Sequence, residues 1–125
     1  MTRETIETDR IAPSVGPFSA AVRAGGFLFL SGQVALDPAT RKLIDGDVRA
    51  QTEQALSNIL AVLEAAGKSF DDVVKSHIFL ADMKDFAAMN EVYARHFQAP
   101  YPARTTVQAA ALPLGAAVEI EITAR

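Results

Sequence analysis

Val73-Val74-Lys75-Ser76-His77-Ile78-Phe79-Leu80 is a strand-length run carrying β-branched and aromatic residues, and what flanks it decides the fold. Upstream, between Asp47 and Gly67, the apolar residues Val48, Ala55, Leu56, Ile59, Val62, Leu63 and Ala66 recur at steps of three and four. That period predicts an amphipathic helix, with Asp47 placed to cap it and Gly67 to stop it. Downstream, Asp82 opens a second helix whose apolar face is Phe86, Met89, Asn90, Tyr93 and Phe97, ended by Pro100 and Pro102.

Further out, the signals return to extended chain. Phe18 to Ala24 and Phe27 to Leu30, separated by Gly25-Gly26, read as a hairpin. Before them Thr5-Ile6-Glu7-Thr8 alternates like a short edge strand, and residues 11–17 form a loop broken by Pro13, Gly16 and Pro17. At the other end, Tyr101-Pro102-Ala103-Arg104-Thr105-Thr106-Val107 and Val118-Glu119-Ile120-Glu121-Ile122 supply two more strands. Strands, helix, strand, helix and strands in that order describe an α+β domain over residues 1–125, with both helices on one side of the sheet. The other side is then bare. Phe27 and Phe29 point one way and Leu28 and Leu30 the other, so this strand is apolar on both faces and predicts a homo-oligomer that buries the second face.

The composition narrows the functional classes. Half of the 125 residues are apolar and 22% are charged, which fits a folded domain rather than a disordered one. The net charge is -3 and the basic residues are scattered, so nucleic acid and anionic membranes are not expected partners. There is no cysteine, hence no disulfide framework and no thiolate nucleophile, and a reducing, cytoplasmic location is the expectation. Residues 1–13 lack the form of a secretory signal, and no run approaches 18 apolar residues. The histidines, His77 and His96, lie in different elements without metal-ligand spacing, and His77 reads as a packed or interface residue. No metal is expected.

The chemistry concentrates in the last quarter. Arg104 is a permanent cation whose fork of N–H donors matches a carboxylate, and Glu119 is a carboxylate able to hold or deprotonate water. Facing one cavity, the two would suit hydrolysis of a small acid. Glu121 shares the side of the strand that Glu119 occupies, and strand periodicity alone does not separate them.

Several short motifs occur together: Gly16-Pro17-Phe18-Ser19, Leu30-Ser31-Gly32-Gln33, the stretch from Gln51 to Asn58 leading to Ala65-Ala66-Gly67, Asp72-Val73-Val74-Lys75, Phe86 with Asn90 and Tyr93, Pro102-Ala103-Arg104-Thr105, and Val118-Glu119-Ile120. With these spacings the chain, from about Ile11 to Ala124, resembles the RidA family of reactive intermediate deaminases, the YjgF type. The resemblance implies a chorismate-mutase-like fold, a ferredoxin-like sheet with two helices on one face. It also implies a homotrimer whose sheets form a central barrel, with a cleft between each pair of subunits. The implied reaction is hydrolysis of 2-imino acids, such as 2-iminopropanoate and 2-iminobutanoate, to 2-oxo acids and ammonia, with no metal or organic cofactor.

On the same resemblance Arg104 holds the substrate carboxylate and Glu119, rather than Glu121, binds the attacking water. Gly32 lets backbone approach the ligand, where by itself it would read as a turn glycine, and Ser31 adds a hydroxyl. Asn90 reaches the cleft or satisfies a buried backbone group. Thr106 stands where many members carry cysteine and keeps the backbone carbonyl that matters there. Phe18 stands where the deaminases usually carry tyrosine, so a hydroxyl is absent and a ring remains to wall the pocket. That departure leaves open a deaminase of another acid, such as an aminomuconate type, or a non-catalytic metabolite-binding or chaperone-like trimer. Ribonuclease activity fits less well, because the chain is acidic and has no histidine pair poised for RNA cleavage.

Overall fold

The computed structural model describes residues 3–125. A single mixed sheet holds six strands: β1 (Glu4–Ile6), β2 (Ala21–Ala24), β3 (Phe27–Leu30), β4 (Val73–Leu80), β5 (Ala103–Gln108) and β6 (Val118–Ala124), in the spatial order β1-β2-β3-β6-β4-β5. Helix α1 (Val48–Ala65) lies between β3 and β4, and α2 (Phe86–Tyr93) between β4 and β5. β4 and β5 run parallel, as a crossover through α2 requires, and the other pairings are antiparallel. The expected α+β architecture is present, with both helices packed into the core on one face of the sheet.

The local signals explain most of the boundaries. The Asp47 side chain accepts from the Ala50 N–H at 3.1 Å, satisfying one of the first free donors of α1. Gly67 takes φ +75, a conformation that glycine adopts without the penalty of a Cβ. Alternation in the strands sorts side chains by face. In β4, Ser76, Ile78 and Leu80 are wholly buried while His77 and Phe79 are half-buried, and β6 matches with Val118, Ile120 and Ile122 inside. These residues join Leu56, Ile59 and Leu63 of α1 and Met89 of α2 in the core.

The first strand is Glu4–Ile6 rather than residues 5–8, and β5 and β6 extend to Gln108 and Ala124; three other boundaries differ from expectation for a visible reason. The hairpin begins at Ala21 rather than Phe18, because the bend at Gly16-Pro17 carries Phe18 off the sheet as a loop residue 51% exposed. Asp82 caps a short 3-10 turn, Met83–Asp85, and α2 starts only at Phe86. That helix stops at Tyr93, before either proline, and Phe97 reaches the core from beyond its end by stacking on Tyr93 at 4.2 Å between ring centroids.

The far face of the sheet has no cover. Phe29 on β3 is 48% exposed and Val107, across β6 and β4 on the edge strand β5, is exposed on the same face, while Leu28 and Leu30 on the same strand as Phe29 are buried. The two-sided apolar character read from Phe27 to Leu30 is therefore real, and a patch of this kind marks an interaction surface.

Candidate active site in two halves

Ser76 pairs with Arg104 across β4 and β5, and paired residues share a face, so the edge strand aims Arg104 toward the helices. The guanidinium lies over the rings of Tyr93, at 4.9 Å, and Phe86, at 5.6 Å, both from α2. These are cation–π contacts, worth more as water is excluded. Tyr93 is itself fixed by a 2.8 Å hydrogen bond with the Ser76 hydroxyl, and burial raises its pKa above the ordinary phenol value. Among the described residues no carboxylate lies within ion-pair distance of Arg104. The cation is oriented, and its donors face a cleft of about 340 Å³ lined by Asn90, Tyr93, Ala94, Tyr101, Pro102 and Arg104.

Two further polar groups lie on this side of the sheet, Asn90 in the cleft and Thr106 two residues along β5 from Arg104. Asn90 Oδ1 and Thr106 Oγ1 are buried without a hydrogen-bond partner. Uncompensated buried polar atoms are rare and costly, and a bound polar ligand is one way they are satisfied. Asn90 thus lines the cleft, whereas the alternative role, satisfying a buried backbone group through Oδ1, is not observed.

Glu119 belongs to the opposite face. It pairs with Phe79 and alternates with the buried Val118 and Ile120, so its carboxylate points away from the helices. The expectation that Arg104 and Glu119 face one cavity is corrected for a single chain: alternation puts them on opposite sides of the sheet. Glu119 instead opens into a separate cavity of about 230 Å³ that includes Phe18, Gly32, Gln33 and Leu114.

Gly32 is set beside that carboxylate by a bridge between Gln33 and Ile120, with N–H to O distances of 2.8 and 3.0 Å. A Cβ at position 32 would come within 2.6 Å of Glu119 Oε2, so only glycine allows the carboxylate this position. Ser31 donates its hydroxyl to the Ser19 carbonyl at 2.6 Å and so anchors the loop that carries Phe18. Burial, followed by the like charge of Glu121, pushes Glu119 above the usual carboxylate range. Glu121 is otherwise engaged, 2.9 Å from His77 Nδ1 on the bare face. The two carboxylates that period two left equivalent thus have different surroundings.

The residues divide into an Arg104 half, with Asn90 and Thr106, and a Glu119 half, with Phe18 and Gly32. The model of the family described as Endoribonuclease L-PSP matches residues 8–125. The chain is 45% identical over 122 residues to the mouse 2-iminobutanoate/2-iminopropanoate deaminase, covering 98% of this chain and 90% of the mouse protein. It belongs to the RidA family.

A RutC family protein from Pyrococcus horikoshii is 48% identical over 122 residues, covering 98% of this chain and 97% of the relative. The crystal structure of RidA from a Psychrobacter species superposes with a TM-score of 0.93 at 48% identity, covering 97% of this chain and 98% of that one. The sheet and helices described above are thus the RidA fold. Names within the RidA family vary among relatives of comparable similarity.

Two contributors escaped the sequence reading. Tyr93 reads from sequence as part of the apolar face of the second helix, and its spacing of seven from Phe86 is the available hint that both rings lie under one cation. Leu114 had no signal, because Leu-Pro-Leu-Gly reads as a turn whose left-handed residue would be the glycine.

Proposed function

We propose that the protein hydrolyses 2-imino acids to 2-oxo acids and ammonia, at a site completed when the Arg104 half of one subunit meets the Glu119 half of another in a homotrimer. The observation that carries this reading is that both halves are prepared and neither is complete. Arg104 is an oriented cation without an anionic partner, and Glu119 is a carboxylate of raised pKa on the other side of the sheet. The bare apolar face supports assembly through that side, and a trimeric barrel would bury Phe29 and Val107. The mouse relative's name supports the substrate class, with 2-iminopropanoate and 2-iminobutanoate as its simplest members.

Arg104 grips the substrate carboxylate through two parallel N–H donors, and Asn90 and Thr106 take up its remaining polar groups. Ionised Glu119 accepts a proton from water as the water oxygen bonds to C2 of the protonated imine, giving a tetrahedral carbinolamine. Protonated Glu119 then returns the proton to nitrogen. The C–N bond breaks, ammonia leaves with the electron pair, and the hydroxyl gives its proton to the again-ionised Glu119, which passes it to the departing ammonia, leaving the 2-oxo group and ammonium. A carboxylate held above its ordinary pKa suits both directions of this transfer better than an unperturbed one.

The test forms imines in situ with an amino acid oxidase and traps the unhydrolysed fraction with semicarbazide. Wild type suppresses trapping, and Arg104→Ala and Glu119→Ala lose kcat/KM by about 10²–10³-fold, the scale for removing one transition-state contact. Unfolding the two inactive variants together and refolding the mixture then restores activity at about a quarter of the sites, since random assembly in a ring places an intact Arg104 against an intact Glu119 that often. Two inactive variants that stay inactive when mixed would refute the shared site.

A further inference from the structure

The wall of the Glu119 cavity carries information about the substrate that the catalytic pair does not. Apart from Glu119, Gln33 and Ser14, its side chains are hydrocarbon, among them Ile11, Val15, Phe18, Val34, Leu36 and Leu114. Its volume of about 230 Å³ is that of seven or eight water molecules at roughly 30 Å³ each. A single methyl group would leave most of such a space wet. Phe18 strengthens the apolar character, because its ring folds back over Gly16, whose Cβ would meet the ring at 3.2 Å. At position 18 the wall offers a hydrocarbon ring and no hydroxyl.

Leu114 is the unusual member. It lies in the turn Pro113–Gly115 with φ 60 and ψ 18, followed by Gly115 at φ 70. Left-handed backbone is disfavoured for leucine, which lacks the short polar side chain that lets asparagine or aspartate visit it. The usual compensation would be burial, yet Leu114 is 68% exposed. An apolar side chain in a strained turn, left uncovered at the mouth of a cavity holding the reactive carboxylate, fits a contact made with a ligand.

Building on the imine-hydrolysis reading, we propose that Leu114 and Phe18 make this chain selective for 2-imino acids with bulky apolar side chains, and that Leu114 is a specificity-determining residue that covers the substrate's side chain. With the substrate carboxylate on Arg104 and C2 beside the water on Glu119, the side chain is the part left to enter this cavity. Burying each additional methylene there favours the larger substrate, and one methylene in an apolar pocket discriminates by about 10-fold or more.

The experiment compares kcat/KM for the imines formed in situ from leucine and from alanine, in wild type and in Leu114→Asn. Asparagine keeps the left-handed turn accessible, so the variant retains the fold. Wild type is expected to favour the leucine-derived imine by at least about 10-fold, and Leu114→Asn to lower that ratio several-fold. Equal rates on the two imines, or an unchanged ratio in the variant, would overturn the selectivity while leaving imine hydrolysis intact. Absence of turnover on both imines removes the hydrolase reading and the selectivity together. A Leu114 covered by a neighbouring subunit instead of substrate would show itself as an unchanged ratio.

Discussion

The two sides of β4 differ in what completes them. Ser76, Ile78 and Leu80 on the helix side are sealed by this chain's own α1 and α2, whereas His77 and Phe79 on the other side are half-buried against nothing but their neighbours in the sheet. One strand therefore serves two surfaces, a core finished within the chain and a face that the proposed assembly would cover with another copy. The candidate chemistry divides along the same plane, Arg104 on the sealed side and Glu119 on the bare one. Under the proposed shared site, folding the chain and completing the site become separate events, which substitutions on the two faces should expose separately.

The largest effect on the chain's own stability is expected on the sealed side. Ile78→Ala removes a wholly buried side chain from the middle of the sheet and should cost about 2–5 kcal/mol, read by urea unfolding at fixed protein concentration. A cost below about 1 kcal/mol would mean that the core closes over the gap and that the two faces differ less in what holds them. On the bare side Phe29→Asp should change the protomer's far-UV circular dichroism little, because the ring it removes is already 48% exposed. It should nevertheless shift sedimentation toward monomer and take imine hydrolysis with it, since a charge at an apolar contact is desolvated without a partner. A fully active monomer would sever assembly from chemistry.

The smallest effect concerns Glu119. Burial and Glu121 raise its pKa, so the folded protein binds that proton more tightly than the unfolded chain. The ionised group therefore opposes folding above the raised value, and this opposition fades as pH falls below the ordinary carboxylate range. Glu119→Gln should accordingly stabilise the protein at neutral pH by roughly a few tenths of a kcal/mol, the scale left for a half-exposed charge after screening, and the gain should vanish on acidification. Thermal melts across pH would show a constant or inverted difference if Glu119 were held by an unseen cation.

Most of the fold was legible because periodicity reports burial. The α1 span between Asp47 and Gly67 and the β4 run from Val73 to Leu80 emerge at the expected residues, and the two faces of Phe27–Leu30 behave as their alternation predicts. The site was less legible, for a topological reason. Alternation tells which residues share a face within one strand, but Arg104 and Glu119 lie on different strands, and their relative side depends on β4 standing between β5 and β6 in a particular register. No local pattern encodes that. The Phe18 loop failed as a strand because a single bend at Gly16-Pro17 outweighed an apolar run. The left-handed Leu114 contradicts its own propensity, the kind of local conflict that tends to accompany function.

The place of β6 bears on how the molecule is made. It is the last of the six strands to leave the ribosome, yet it lies between β3 and β4, in the interior of the sheet. Until it arrives, the nascent chain holds two separate pieces, a three-stranded meander and a parallel pair, each with an edge of unpaired peptide groups. Those edges are open to any passing extended chain, so the interval before β6 inserts is when the protein is most exposed to mispairing. The strand carrying Glu119 is thus also the one that closes the sheet, and a polypeptide interrupted before it would lack both.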